Sequence, residues 1–223
     1  VIDYVGGLDL YDTDPDRIDV LMLGEDCTAD DDCDSGYCGR ATDTCATLSS
    51  IYVSALTSEM NGNLGGLSGA DSLCASQASQ YGYSGEWVAL LSTSTTDAIS
   101  RIPDITLSDG TVLWDLAVYT VSGETLVSSW STLANNSETS SSHIVRAFNG
   151  NQVEEFNGFG NDADAWTGST GVGLYNCGQT CSDWTSTGAL GTATEADAYM
   201  IFRVERDKSC STTYAVQCVK VED

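Results

Sequence analysis

The sequence predicts an α+β domain with long ordered loops, preceded by a small disulfide-rich module. Three observations carry this. Four of the nine cysteines crowd into Cys27, Cys33, Cys38 and Cys45, a stretch too short for a hydrophobic core. Strand-like runs open and close residues 48–223, with a helical pattern soon after the first. Between them, residues 134–197 are rich in Gly, Asn, Ser and Thr with isolated Trp, a loop composition.

The elements follow in order. Residues 1–23 interleave apolar side chains with Asp. Val1, Tyr4, Val5, Leu8 and Leu10 suit one short strand and residues 18–23 another. An isolated strand pair is marginal in water, so this extension has to dock on its own domain or on a neighbour. Residues 24–47 form the cysteine module, where disulfides take the place of a core. In the main domain, 51–56 (IYVSAL) alternates as an opening strand. Residues 69–82 put Ala70, Leu73, Cys74 and Ala78 at helical spacing. Residues 86–92 read as a buried strand and 93–101 as a short helix. Residues 111–116 read as a strand, and the stretch 127–133 as strand and turn. Residues 198–205 and 214–221 read as the closing strands. No solenoid repeat is present.

Composition limits the function. The chain has 223 residues, of which 41% are hydrophobic, with five Trp and ten Tyr, enough for a real core. Asp and Glu number 33 against 8 Lys and Arg, a formal charge of −25. Such a surface repels nucleic acid, anionic lipid and heparin-like polyanions. It suits a soluble protein in a salty or calcium-rich exterior, where cations screen it. Nine cysteines at cross-link spacing place the chain in an oxidising compartment, secreted or at the cell surface. No segment has the ~18 apolar residues of a membrane span. With no basic segment leading an apolar run, the chain reads as a mature form.

The spacing Cys-x5-Cys-x4-Cys-x6-Cys resembles a small cysteine-rich motif of secreted bacterial and animal proteins. Four cysteines allow three pairings; the resemblance implies Cys27–Cys38 and Cys33–Cys45. Zinc is the rival reading. It is disfavoured because no Cys-x2-Cys pair occurs and the surrounding Asp and Glu oppose thiolates.

A second resemblance is carried by residues 65–94. Gly66, Gly69, Ala70, Asp71 and Cys74 form the pattern Gly-x-x-Gly-Ala-Asp-x-x-Cys. Gly85 then precedes a strand containing Trp87, with Leu90, Leu91 and Ser92 after it. Trp114 follows a turn at Asp109-Gly110; AWTGS (165–169), CSDWTS (181–186), Cys210 and Cys218 complete the order. This pattern resembles the endostatin-like branch of the C-type-lectin-like fold, as in the C-terminal domains of certain collagens and in bacterial secreted lectin-like domains. The resemblance implies disulfides Cys74–Cys218 and Cys181–Cys210. It gives Cys177 no partner, leaving it a free thiol, a competitor of Cys181 or an intermolecular link.

Several groups of residues could carry chemistry. The calcium-dependent sugar triplets of true C-type lectins, Glu-Pro-Asn or Gln-Pro-Asp, are missing, so the resemblance bears on fold. An alternative glycan site would stack Trp166 and Trp184 on sugar faces, with Asn161, Asp162 and Asp164 as acceptors; the plainer reading makes these Trp core residues. Calcium has a candidate in Asp12, Asp14, Asp16 and Asp19, whose oxygens alternate as hard-cation loops require. Residues 157–164 are a second acidic loop. The zinc site of the collagen domains needs several His, and this chain has His143 alone. Their heparin site needs clustered Arg, and here cations are scattered. Catalysis finds no Gly-x-Ser-x-Gly elbow and only His143 for a triad, so a non-enzyme is expected. Asn135-Asn136-Ser137 is a glycosylation triplet.

Two functions follow as expectations. One is a secreted adhesion or recognition module that binds glycan or protein through loops. The other is a structural subunit of an extracellular filament or surface assembly, in which Val1–Leu10 joins another copy.

Overall fold

The computed structural model describes Asp26, Cys33, 38–39, 44–45, 50–102, 112–135, 145–151, Val153, 164–195, 201–202 and 206–222. In the cysteine module, β1 (Cys38–Gly39) and β2 (Thr44–Cys45) pair antiparallel. Cys33 is bonded to Cys45, and both are buried. The expected Cys27–Cys38 bridge involves Cys27, which lies outside the described residues.

One eight-stranded sheet organises the main domain. Its strands are β3 (Ser50–Ala55), β4 (Val88–Ala89), β5 (Val118–Thr120), β6 (Thr125–Val127), β7 (Asp164–Trp166), β8 (Leu190–Glu195), β9 (Arg206–Ser209) and β10 (Ala215–Glu222). The order is β6-β5-β3-β10-β7-β8-β9, with β4 also on β10. β10 is central: it runs antiparallel to β3 from Gln217–Ala55 to Glu222–Ser50, parallel to β7, and antiparallel to β4. The first and last strands of the domain are therefore neighbours.

The residues of β10 explain its place. Ala215 and Val219 enter one core with Ile51, Val53, Leu113, Val118, Trp130 and Phe202. Val216 and Cys218 enter the other with Leu56, Trp87, Phe148, Trp166 and Trp184. A strand buried on both faces loses the polar alternation of a surface strand.

Helix α1 (Gly66–Gln80) packs on the second face through Ala70, Cys74 and Ala78, which are buried. These small side chains recur every fourth residue and let the helix lie close to the sheet, where Cys74 is bonded to Cys218. Each residue of the glycine-alanine-aspartate pattern has a physical task. Gly66 has φ +79° at the helix start, and a Cβ on Gly69 would run into the Leu64 carbonyl. The Asp71 Oδ1 accepts from Ala89 N at 2.8 Å and from Arg101 Nη2 at 2.6 Å. Arg101 Nε also donates to the Ala89 carbonyl at 3.0 Å, so one carboxylate fastens helix, β4 and the following turn together.

Several local expectations are corrected. The 111–116 strand is a 3-10 turn at Leu113–Asp115; Leu113 points into the core while Trp114 Nε1 donates to the Ile102 carbonyl at 2.8 Å. The buried strand at 86–92 is regular only at Val88–Ala89, though Leu90, Leu91 and Ser92 are fully buried. The short helix at 93–101 is a 3-10 turn, Ala98–Arg101. Of the strand expected at 198–205 only Ile201 and Phe202 lie within the described residues; they form a turn whose side chains enter the first core, and β9 follows at Arg206–Ser209. α2 (Trp130–Asn135) takes the place of the turn after β6; its Trp130 is buried and donates to the Ile99 carbonyl at 3.0 Å.

Candidate functional site

The long connection from β7 to β8 holds the most unusual backbone of the domain. Cys181, Ser182, Asp183 and Trp184 have φ of 52°, 54°, 53° and 65°. These are four consecutive left-handed residues, none a glycine, and Trp184 N donates to the Thr180 carbonyl at 2.7 Å across the turn. Left-handed helix disfavours L-residues by roughly 1–2 kcal/mol each. Such a turn persists only where its surroundings over-determine it.

The surroundings do so from four sides. Cys181 is bonded to Cys210, and both are fully buried. A Cβ on Gly191 would sit 2.6 Å from the Cys181 sulfur and 2.9 Å from the Trp166 ring, so only glycine lets β8 approach. Trp184 Nε1 donates to the Ser92 carbonyl at 2.7 Å, and its carbonyl accepts from Leu64 N at 2.9 Å. Asp183 reaches the 92–97 loop: it accepts from Ser94 N at 2.8 Å, Ser94 Oγ at 2.6 Å and Thr180 Oγ1 at 3.0 Å. The Ser94 hydroxyl above all holds the Asp183 carboxyl below its ordinary value of 3.8.

The neighbouring loops are tied in the same way. Ser92 and Ser169 share a buried hydroxyl bond of 2.8 Å. Asp97 accepts from Tyr175 N at 2.6 Å, and Asn176 Nδ2 donates to Thr192 Oγ1 at 2.8 Å. The resulting surface exposes Ser94, Thr95, Leu174, Cys177, Gly178 and Ser182. Segments 92–97 and 167–190 contain no Lys, Arg or His, and their only carboxylates are Asp97 and Asp183. Hydroxyl, amide and backbone groups dominate, so the surface can hydrogen-bond a neutral or cationic partner and repels polyanions.

The expected site residues fall as follows. Trp166 and Trp184 are both fully buried, their rings edge to face at 5.8 Å, with Trp166 Nε1 bonded to the Met60 carbonyl at 2.7 Å. Neither can stack on a sugar; their indoles pin the loops from beneath. Asp164 is likewise corrected: it is 4% exposed and ion-paired with Lys208, so it faces no ligand in solution. Asn161, Asp162, Asp12, Asp14, Asp16, Asp19, Val1, Tyr4, Val5, Leu8, Leu10 and His143 lie outside the described residues. Asn135 ends α2, and the rest of its triplet lies outside them too. Cys177 is a free, exposed thiol. Among the described residues, no three His, Cys, Asp or Glu side chains converge as a metal site. No helix among them is long and apolar enough to cross a membrane.

The left-handed turn itself was invisible to sequence reading. Its one local hint is Ser-Asp, and Asp tolerates left-handed backbone better than most residues.

No curated protein matches this chain. The family described as Collagenase NC10 and Endostatin matches residues 51–222, which span the sheet from β3 to β10, the α1 pattern and both domain disulfides. The chain therefore belongs to the Collagenase NC10 and Endostatin family.

Proposed function

We propose that the chain is a secreted, non-enzymatic recognition module that binds an extracellular protein or a glycan in lectin-like fashion. Its binding face is made by loops 92–97 and 167–190. The observation that carries this is the left-handed turn Cys181–Trp184, a costly backbone held at the surface by a disulfide, two buried indoles and Asp183. Strain of this kind concentrates where a fixed geometry must be presented to a partner. The cation-free, hydroxyl-rich surface favours neutral glycans or basic protein segments over anionic glycans. Calcium bound at Asp12, Asp14, Asp16 and Asp19 belongs to the same proposal. The test is a glycan array and an extracellular-protein panel probed with the full chain, in calcium and in chelator. Binding that is lost in Ser182→Arg supports the reading. Silence across both panels, or binding indifferent to Ser182→Arg, counts against it.

A second reading is favoured by the exposed thiol of Cys177. In it the chain is a subunit of an extracellular assembly, linked through Cys177 and the Val1–Leu10 segment. Sedimentation of the full chain against Cys177→Ser decides: a sole monomeric species in both removes this reading.

A further inference from the structure

We propose that Lys208 and Asp164 condense to an amide, covalently joining β9 to β7. Among the described residues the pair combines a buried carboxylate with a lysine amine. Asp164 is the only buried carboxylate among the described residues. Its Oδ2 lies against the Lys208 Nζ, and the two side chains are 4% and 22% exposed. Aromatic rings shield them: Nζ sits 5.2 Å from the centre of the Tyr214 ring, which packs edge-on at 4.8 Å against the buried Trp166. The other oxygen, Oδ1, is buried and has no hydrogen-bond partner among the described residues.

That orphan oxygen is the telling detail. An ionised carboxylate taken out of water needs its acceptor sites filled, and an unfilled one is costly. The carbonyl oxygen of an amide is neutral and is much less penalised when unpaired. The surroundings therefore suit the condensed product better than the ion pair.

The chemistry balances within the pair. A proton passes from the ammonium to the carboxylate, giving a neutral amine and a neutral acid. The Nζ lone pair attacks Cγ, forming the Nζ–Cγ bond. The Cγ–Oδ2 bond breaks, and that hydroxyl leaves as water with a proton from Nζ. No oxidant or co-reactant is involved. Holding the two groups in contact supplies the proximity that such a condensation requires. Two other ion pairs among the described residues lack these features. Arg101 and Arg146 carry guanidinium groups, which are poor nucleophiles, and Asp71 and Glu124 are 29% and 36% exposed.

The experiment is mass spectrometry of the full chain with all disulfides reduced, followed by tryptic mapping. The expected chain is lighter than its sequence by one water, and the digest contains a branched peptide joining the Lys208 and Asp164 segments. Lys208→Arg, which keeps a cation beside Asp164, restores the full mass and removes the branched peptide. A wild-type chain at full sequence mass overturns the proposal. So does a water loss without a branched peptide, because cyclisation elsewhere joins no two segments.

Discussion

The two disulfides of the main domain close two very different regions. Cys74–Cys218 joins a regular helix to the central strand, two segments whose apolar spacing already suits helix and strand. Cys181–Cys210 joins a left-handed turn to the residue after β9, and there the local support is slight: the left-handed tolerance of Asp183 and the Thr180 side chain that caps it. In the first region tertiary contacts reinforce what short segments already prefer. In the second they impose a backbone that the same segment would abandon alone. Regular and irregular structure thus rest on the same cores but on opposite balances of local and long-range energy.

Removing each disulfide in turn tests that contrast most directly. The Cys74–Cys218 bridge spans 144 residues and Cys181–Cys210 spans 29. Loop-closure entropy alone then predicts losses of about 5 kcal/mol and about 4 kcal/mol. The larger loss should be global, seen as one cooperative shift in denaturant melts of Cys74→Ala/Cys218→Ala. In Cys181→Ala/Cys210→Ala the turn is released, so hydrogen exchange should quicken first at residues 180–186 while β3 and β10 stay protected. Uniform exchange in the second variant would mean that the turn is no less stable than the sheet.

The same contrast governs what was legible in the sequence. Strand β3 was readable because Ile51, Val53 and Ala55 alternate with Tyr52 and Ser54. Helix α1 was readable because Ala70, Cys74 and Ala78 fall on one face. The 3-10 turn at Leu113–Asp115 was not, because a short apolar run fits strand and turn equally and packing decides. The loop site is only half legible for a related reason. Trp166 and Trp184 sit among Gly, Ser and Thr, a context that fits a sugar-stacking site as well as the plainer core reading, and the structure shows the core reading. Their burial comes from Met60, Ser92 and Tyr214, contacts distant in sequence. The left-handed turn has no glycine to announce it and depends on Cys210 and Ser94 from elsewhere.

A single substitution made in both regions should change sign. Ser182 is exposed with φ 54°, where glycine carries no Cβ penalty. Ser182→Gly should stabilise the chain by about 1 kcal/mol. Ser76 is exposed inside α1, and Ser76→Gly should destabilise it by about 0.5 kcal/mol. Paired denaturant melts give both values. If Ser182→Gly also destabilises, the turn does not carry the strain assigned to it.

The smallest expected effect concerns the bridge from the turn to the 92–97 loop. Asp183 titrates below its ordinary value of 3.8, chiefly through the Ser94 hydroxyl. Because its folded pKa is depressed, the stabilisation it brings is complete above that ordinary value and is lost as pH falls through the lower folded value. Between those two values the unfolded chain takes up the proton first, so stability drops steadily with acid. Ser94→Ala removes the largest of the causes but leaves the Ser94 N–H and Thr180 bonds. The Asp183 carboxyl should then titrate closer to 3.8 in an NMR pH series, and the acid-sensitive window should narrow. An unchanged titration would place the hold on Asp183 in the backbone of the 92–97 loop, making the turn's attachment a property of loop shape instead of one hydroxyl.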